Sequence, residues 1–375
     1  MAYSTYFDNA ATSFPKPGEV SRQMARYLDE MGGSYGRSAY QRALEVSGTV
    51  EETRDRLAEQ LGVRDSSKVV FTMNATHAIN IVLHGLQLEN RHVLVSPLEH
   101  NAASRPLHCL KEEKRVSVSV LPHFSDGFVD VARIKHHLQQ DTALVIVNHQ
   151  SNVNGVIQPL PAIKKEIGGI PILVDAAQSA GRIPLEVDRW GIDYLAITGH
   201  KGLLGPTGVG GLFLKKPDEI PPFIYGGTGS NSEDCAMPPF MPDKFEAGTH
   251  NIAGICGLLG ALDARPDPGH TFEDFIVLIQ EIKALKNLKF YGARERDHQG
   301  TVFSINHTTR DCASVGQELF DRFRIEIRVG LHCAPEAHKT IGTFPRGTVR
   351  IAPSVYHTVS DFEYLLKALA EIDRE

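Results

Sequence analysis

Short apolar runs alternate along the chain with longer segments in which apolar residues recur at helical spacing. This alternation is typical of βαβ units and predicts an α/β fold with a large, mostly parallel sheet. The predicted strands are 68–71, 92–96, 115–121, 143–148, 172–175, 194–198 and 210–214, and helical periodicity is clearest over 20–28, 48–60 and 75–86.

A second group of elements follows the large sheet. Its predicted helices are 254–264, 314–323 and 361–372, and its predicted strands lie near 301–305, 324–329 and 348–351. The segment between the two groups is rich in proline and therefore irregular, with Pro221, Pro222, Pro238, Pro239 and Pro242. We predict an N-terminal arm over 1–15, a large domain over 16–250 and a smaller α+β domain over 251–375.

The composition narrows the class of protein. The chain has 375 residues, 42% of them hydrophobic, with 39 Lys and Arg against 45 Asp and Glu and a formal net charge of −6. This charge balance offers no basic face for nucleic acid. Five cysteines without a C-x-x-C pair predict a reducing compartment. Because no leader-like N-terminus and no 18-residue apolar run occur, we predict a cytoplasmic protein without a membrane partner.

An acid and an amide follow one of the predicted buried strands. Strand 172–175 ends in Asp175, and Gln178 comes three residues later, at the sheet edge where open α/β folds place ligands. A lone Asp in such a place is more often a helix N-cap, so by itself it favours a structural role.

A lysine follows the next strand. Strand 194–198 runs into His200 and Lys201, and a partly desolvated lysine amine can form a Schiff base with an aldehyde. Most lysines are instead exposed on loops. Gly202 comes directly after Lys201, where the Walker phosphate loop requires Ser or Thr, so that loop is excluded.

Other strand ends add polar groups to the same predicted edge. Strand 68–71 leads through a polar turn to a helix that starts at Ala75 and Thr76, an arrangement suited to binding an anion. His100 and Asn152 follow two further strands. Each group alone favours a structural role, but together on one edge they indicate a cofactor with a phosphate, a ring and an aldehyde.

These motifs resemble the class V aminotransferase family of pyridoxal-phosphate (PLP) enzymes, and within it the cysteine desulfurase/selenocysteine lyase group. The resemblance extends from Tyr6-Phe7-Asp8-Asn9-Ala10-Ala11-Thr12 to Arg328-Val329-Gly330-Leu331-His332-Cys333 and Val349-Arg350. It implies the PLP-dependent transferase fold type I, pyridoxal 5'-phosphate as cofactor, and a homodimer with shared active sites.

The resemblance also implies a role for each matching residue. Lys201 would form the Schiff base and move protons, Asp175 would pair with the pyridinium nitrogen, and Gln178 would bond the phenolic oxygen. His100 would stack on the ring and relay protons, with Ala177 on the other face. The positions that match phosphate-binding residues are Ala75, Thr76, Thr198, His200 and, from the other subunit, Thr249.

The substrate side of the site is implied in the same way. Arg350 would capture an α-carboxylate, with Asn152 beside it and Arg328 at the entrance. Cys333 would attack the sulfur or selenium of the substrate and keep it as a persulfide or selenide adduct, releasing alanine. Any one cysteine is more often a small buried hydrophobe. The position of Cys333 in a short loop resembles the second, short-loop desulfurase type and favours the nucleophile.

The predicted reaction is therefore PLP-dependent desulfuration of L-cysteine, with an acceptor protein for the sulfur. Three alternatives remain open: a selenocysteine lyase, another class V C–S lyase or transaminase in which Cys333 is incidental, and a non-catalytic sulfur-carrier docking protein. We predict no metal, because His332, Cys333 and His338 lie too close together without a distant fourth ligand.

The sequence departs from the family pattern in two places. The stretch 265–290 is short by a turn or more of helix, and His77 and Asn101 stand where relatives often carry Glu and His. We expect these changes to affect the small domain and the surroundings of the ring, and not the residues assigned to catalysis.

Overall fold

A computed structural model describes residues 4–36 and 38–374. The large sheet has seven strands: β1 (Val69–Thr72), β2 (His92–Val95), β3 (Ser117–Val120), β4 (Thr142–Asn148), β5 (Ile172–Asp175), β6 (Tyr194–Thr198) and β7 (Gly210–Leu214). Their order is β1-β7-β6-β5-β4-β2-β3. Only β7 runs against the other six, so the prediction of a mostly parallel sheet is confirmed.

Helices cover both faces of this sheet: α1 (Gly18–Arg26), α2 (Gln41–Leu61), α3 (Ala75–Gly85), α4 (Asn101–Lys114), α5 (Leu160–Ile167), α6 (Val187–Trp190) and α7 (Ile252–Asp263). Alternate residues of the strands point to opposite faces. Accordingly, Val145 and Val147 of β4 belong to one buried apolar cluster, while Leu144 and Ile146 belong to another. Burial on both faces explains why these strands read as continuous apolar runs.

The smaller sheet is antiparallel, with four strands in the order β10-β11-β9-β8: β8 (Leu288–Tyr291), β9 (Phe303–His307), β10 (Arg328–Gly330) and β11 (Thr348–Ile351). Its helices are α8 (Phe272–Lys283), α9 (Cys312–Phe323), α10 (Pro335–Thr340) and α11 (Val359–Asp373). The sheet and these helices enclose their own apolar core, which includes Phe275, Phe303 and Leu365. This confirms the predicted α+β character of the second group.

Two segments cross between the predicted domains. The N-terminal arm lies along the small sheet: the Phe7 N–H donates to the Glu326 carbonyl (2.8 Å), and the Ala352 N–H donates to the Phe7 carbonyl (2.7 Å). Conversely, α7 packs on α1 and α2, and its Ile252 and Ile255 are buried in a core cluster of the large sheet. The predicted boundary at 250/251 thus precedes a helix that packs with the large sheet. Residues 1–3 of the predicted arm and residue 375 lie outside the described residues.

The structure contains helices that the sequence analysis did not predict, among them α4 and α8. Helix α4 carries Pro106 in its interior, which breaks the expected helical pattern. Helix α8 could have been found, because Thr271 and Asp274 form a capping box at its start. It occupies part of the stretch expected to be short.

Candidate active site

A cavity of about 200 Å³ opens at the carboxyl ends of the parallel strands of the large sheet. Ten predicted residues line it, together with Asn74, Ala102 and Asn148: Ala75, Thr76, His100, Asn152, Asp175, Ala177, Gln178, Thr198, His200 and Lys201. Strand ends from one edge of a parallel sheet converge in space although they are distant in the chain. Thr249, Arg328, Cys333 and Arg350 do not line this cavity.

One end of the cavity is suited to an anion. Helix α3 begins here, with the Asn74 side chain accepting a hydrogen bond from the His77 N–H (3.0 Å), and its N-terminus carries positive partial charge. Thr198 Oγ1 and His200 Nδ1 are buried here without a hydrogen-bond partner. Burial, aided by the charges of Lys201 and Lys16, lowers the pKa of His200 to about 4, so its imidazole is neutral near pH 7.

Asp175 and Gln178 also line the cavity. Asp175 ends the central strand β5, is 2% exposed, and accepts a hydrogen bond from the Ala177 N–H (2.9 Å). Burial raises the pKa of Asp175, while this hydrogen bond and the charge of Lys201 lower it. Gln178 Nε2 donates to the Ala10 carbonyl (2.9 Å), and Gln178 Oε1 is buried without a partner. A carboxylate and an amide are thus fixed in place, and no cationic side chain of the described residues is bonded to either.

His100 is the N-cap residue of α4. Its Nδ1 accepts a hydrogen bond from the Ala102 N–H (3.0 Å), which places the proton of the neutral ring on Nε2. Burial, with the charges of Lys201 and Arg328, lowers the pKa of His100 to about 3. The ring is therefore an uncharged donor at Nε2 and is suited to stacking.

Lys201 follows β6 and is mostly buried. Burial lowers the pKa of its amine to about 8, with Asp175 opposing the shift and Arg350 and Arg182 adding to it. An appreciable fraction of the amine is therefore neutral near pH 7, as a nucleophile or base requires. The peptide that precedes it is held by the arm, because the His200 carbonyl accepts hydrogen bonds from the Ser13 N–H (3.0 Å) and Thr12 Oγ1 (3.1 Å).

Arg350 lies on β11 and is 1% exposed. Its Nη1 donates to the Asn152 carbonyl (3.1 Å), and its Nη2 donates to Asp8 Oδ1 (2.5 Å). Asn152 lines the cavity, so Arg350 is joined to the cavity wall through a direct hydrogen bond. Its Nε is buried without a partner and remains available to a ligand.

Cys333 is exposed and free, in a short loop between β10 and α10. His332 and Cys333 both adopt left-handed backbone conformations, with φ of 49° and 58°, which non-glycine residues rarely do. Two hydrogen bonds hold the loop beside the cavity: Nδ2 of Asn152, a lining residue, donates to the His332 carbonyl (2.7 Å), and the N–H of Asn101, which follows the lining residue His100, donates to the Cys333 carbonyl (2.8 Å). Arg328 Nη2 lies 3.4 Å from Cys333 Sγ.

Thr249 lies elsewhere on the chain. It lines a second cavity of about 210 Å³ whose lining also includes Met73, His77 and Glu246. Glu246 is buried and forms an ion pair with Arg54 (2.7 Å). The single chain therefore does not bring Thr249 into the first cavity.

The chain has four further cysteines, and two histidines lie close to Cys333 in the sequence. Cys109, Cys235, Cys256 and Cys312 are free thiols. The rings of His332 and His338 lie 5.4 Å apart, and within residues 4–36 and 38–374 no group of three His, Cys, Asp or Glu side chains has the arrangement of a metal site. Across the same residues, every helix is too short or too polar to cross a membrane.

Glu99 is a buried group that sequence reasoning missed. It is 2% exposed, and its Oε1 accepts hydrogen bonds from Ser96 Oγ (2.6 Å) and the Asn148 N–H (2.8 Å). Burial raises the pKa of Glu99 from its ordinary 4.5 to about 8. Its position just before His100 at a strand end was the available signal.

Glu99 predicts a specific dependence of stability on pH. Between pH 4.5 and about 8 the folded chain holds a proton that the unfolded chain has lost, so the stabilisation is complete below pH 4.5 and declines as pH rises through 8. Glu99→Gln cannot ionise, so we expect its free energy of unfolding to fall less with rising pH. Above pH 8 we expect that free energy to exceed the wild-type value by a few kcal/mol. Urea unfolding below pH 4.5 and above pH 8 measures this free energy. The same change with pH in both proteins would contradict the prediction.

Comparison with known proteins agrees with this geometry. A family model described as aminotransferase class-V matches residues 5–365. A probable cysteine desulfurase of Methanothermobacter thermautotrophicus is 34% identical, covering 98% of this chain and 94% of the relative. Cysteine desulfurase IscS of Dictyoglomus turgidum is 32% identical, covering 99% and 95%.

Solved structures show the same relationship. The apo cysteine desulfurase from Thermococcus onnurineus NA1 superposes with a TM-score of 0.89 at 28% identity, covering 98% of this chain and 94% of that one. The cysteine desulfurase CsdA from Escherichia coli, in an S-sulfonic acid form, gives 0.86 at 25% identity with the same coverage. The chain therefore belongs to the class V aminotransferase family and has the fold of its cysteine desulfurases.

Proposed function

We propose that this chain is a PLP-dependent cysteine desulfurase that converts L-cysteine to L-alanine and keeps the sulfur on Cys333 as a persulfide. The observation that carries the proposal is the Cys333 loop. The Cys333 carbonyl accepts a hydrogen bond from Asn101, the residue after His100. The His332 carbonyl accepts one from Asn152, whose own carbonyl accepts one from Arg350. The loop that carries this exposed thiol is thereby bonded to residues next to the cavity and next to the buried Arg350, whose guanidinium fits a substrate carboxylate.

The cavity suits the cofactor in chemical terms. Buried polar atoms without partners indicate a missing ligand, and five of them line this cavity: Asn148 Oδ1, Asn152 Oδ1, Gln178 Oε1, Thr198 Oγ1 and His200 Nδ1. The start of α3, with Thr198 and His200, would hold the phosphate, Asp175 the ring nitrogen, and Lys201 the aldehyde. When bound, PLP supplies an electron sink for negative charge at the α-carbon of an amino acid.

The protein residues divide the remaining work. Arg350 would hold the substrate α-carboxylate by paired N–H donors. The Lys201 amine, partly neutral because its pKa is lowered to about 8, can take and return a proton at the substrate carbon. Cys333 Sγ forms a bond to the substrate sulfur as the carbon–sulfur bond breaks, and the carbon receives a proton. One thiol and L-cysteine thus become one persulfide and L-alanine, with atoms in balance.

The test of this function is product analysis. Purified protein loaded with PLP is incubated with L-cysteine or with L-selenocysteine, and L-alanine is measured together with sulfide or selenide. Alanine from L-cysteine in the presence of a reductant supports the proposal. Alanine from L-selenocysteine alone would identify a selenocysteine lyase, and pyruvate with ammonia would identify another C–S lyase.

We further propose a homodimer that shares its active sites. Thr249 lies outside the first cavity, and the lining of its own cavity includes two exposed apolar side chains: Met73 is 58% exposed and Ile224 46%. A partner covering these side chains would remove them from water. The same contact would bring Thr249 to the phosphate end of the partner's cavity.

Mixing two variants, each mutated at a different predicted site residue, tests whether the sites are shared. In a mixed dimer of Lys201→Ala and Thr249→Ala chains, one site combines both mutations and the other has both native residues. We therefore expect refolded mixtures to be more active than the mean of the two variants. Activity equal to that mean would contradict shared sites, and a monomer by light scattering would contradict the dimer.

A further inference from the structure

Asp8 is an acid on the N-terminal arm to which neither the sequence analysis nor the proposed mechanism assigns a role. Its Oδ1 lies 2.5 Å from Nη2 of Arg350, and its side chain is 21% exposed against 1% for that of Arg350. This contact joins residues 342 positions apart in the chain. The pair therefore reflects the tertiary fold and not local sequence.

The backbone fixes Asp8 relative to the strand that carries Arg350. Asp8 forms a parallel bridge with Ala352, and the Asn9 N–H donates to the Ala352 carbonyl (3.2 Å). Asn9 Nδ2 donates to the same carbonyl (3.0 Å). These hydrogen bonds fix the backbone of the arm at Asp8 against the end of the strand that carries Arg350.

The guanidinium is held at two of its three nitrogens. Nη1 donates to the Asn152 carbonyl (3.1 Å) and Nη2 to Asp8, while Nε is buried without a partner. These two contacts define the plane of the guanidinium, and a planar donor pair binds a carboxylate well only in the right plane. Burial lowers the pKa of Arg350, and the adjacent Asp8 carboxylate opposes that shift.

We propose that Asp8 is a positioning residue that orients Arg350 for the α-carboxylate of the amino-acid substrate. The proposal rests on the proposed function, because it assigns the carboxylate to Arg350. Asp8 acts through the arginine: it keeps the buried guanidinium charged and in one plane before substrate arrives. Removing the Asp8 carboxylate should therefore weaken the binding of every ligand with an α-carboxylate and change the rate of the chemical step little.

The test compares Asp8→Ala and Asp8→Asn with the wild-type holoenzyme. We expect Asp8→Ala to raise KM for L-cysteine and the dissociation constant of L-alanine by about 10-fold or more, with kcat within a few-fold, since charged hydrogen bonds are lost. Asp8→Asn keeps an acceptor oxygen, so we expect a smaller rise. Inhibition by cysteamine, which lacks a carboxylate, should not change.

Asp193→Asn is a matched control, because it removes a partly buried carboxylate from an ion pair with Lys164 (2.7 Å) far from Arg350. We expect wild-type KM for this variant. An unchanged or lower KM in both Asp8 variants overturns the proposal, and so does an equal weakening of L-cysteine and cysteamine. L-alanine binding followed by a shift in Tm tests Asp8 separately from turnover, so it still decides if the wild type does not desulfurate cysteine.

Discussion

Replacing Lys201 with alanine is expected to lower alanine formation from L-cysteine by about 10³-fold or more, the magnitude typical of losing a positioned acid–base group. The physical reason is the environment of the amine. Burial lowers its pKa to about 8 although the nearby Asp175 opposes the shift, so part of the amine is neutral near pH 7. Among the residues that the structure describes, Lys201 is the one lysine that lines the cavity. The measurement is single-turnover alanine release, together with the absorption spectrum of added PLP.

Two variants make this prediction specific. Lys201→Arg keeps a positive charge but offers no accessible neutral amine, so we expect it to be as inactive as the alanine variant. Lys216→Ala removes a lysine whose side chain is 63% exposed at the end of β7, and we expect wild-type activity. Appreciable turnover by Lys201→Ala, with a wild-type spectrum, would contradict the role of the lysine.

Replacing Cys333 with serine is expected to lower sulfur removal from L-cysteine by at least about 10²-fold, as for other catalytic side chains. A serine oxygen cannot replace the sulfur as the atom that accepts sulfur. The fold should tolerate the change, because Cys333 is exposed and its loop is held by backbone carbonyls bonded to Asn101 and Asn152. Mass spectrometry of the wild type after turnover should show one added sulfur atom on the peptide containing Cys333.

Exposed cysteines elsewhere provide the control. Cys109 and Cys235 are free and exposed, and Cys109→Ser and Cys235→Ser should desulfurate L-cysteine as the wild type does. Undiminished activity of Cys333→Ser on L-cysteine would show that the thiol is incidental and would favour another class V lyase. Loss with L-cysteine but not with L-selenocysteine would indicate that selenium leaves without attack by the thiol.

Much of the large sheet could be predicted from the sequence. Strands β5, β6 and β7 have the predicted bounds, because strands buried on both faces appear as uninterrupted apolar runs between turn residues. The reversal of β7 was not predicted, since strand direction depends on pairing with β1 and β6 and leaves no periodic pattern. Helix α4 was missed because its interior Pro106 and many polar residues resemble a loop.

The polar groups at the carboxyl ends of the strands could be read from the sequence alone, and they outline the first cavity. Those groups include Asp175, His200 and Lys201, and their convergence follows from the geometry of any parallel sheet. The resemblance to a known family added roles for these positions before any contact was known.

The tertiary fold sets how Arg350, Asp8 and the Cys333 loop are placed relative to the cavity, and it raises the pKa of Glu99. Each depends on contacts between distant parts of the chain, such as the Asn101 N–H bonded to the Cys333 carbonyl (2.8 Å) and Arg350 bonded to Asp8 (2.5 Å). Burial and hydrogen bonding set the charge and the direction of a side chain, and both depend on residues that are distant in the sequence.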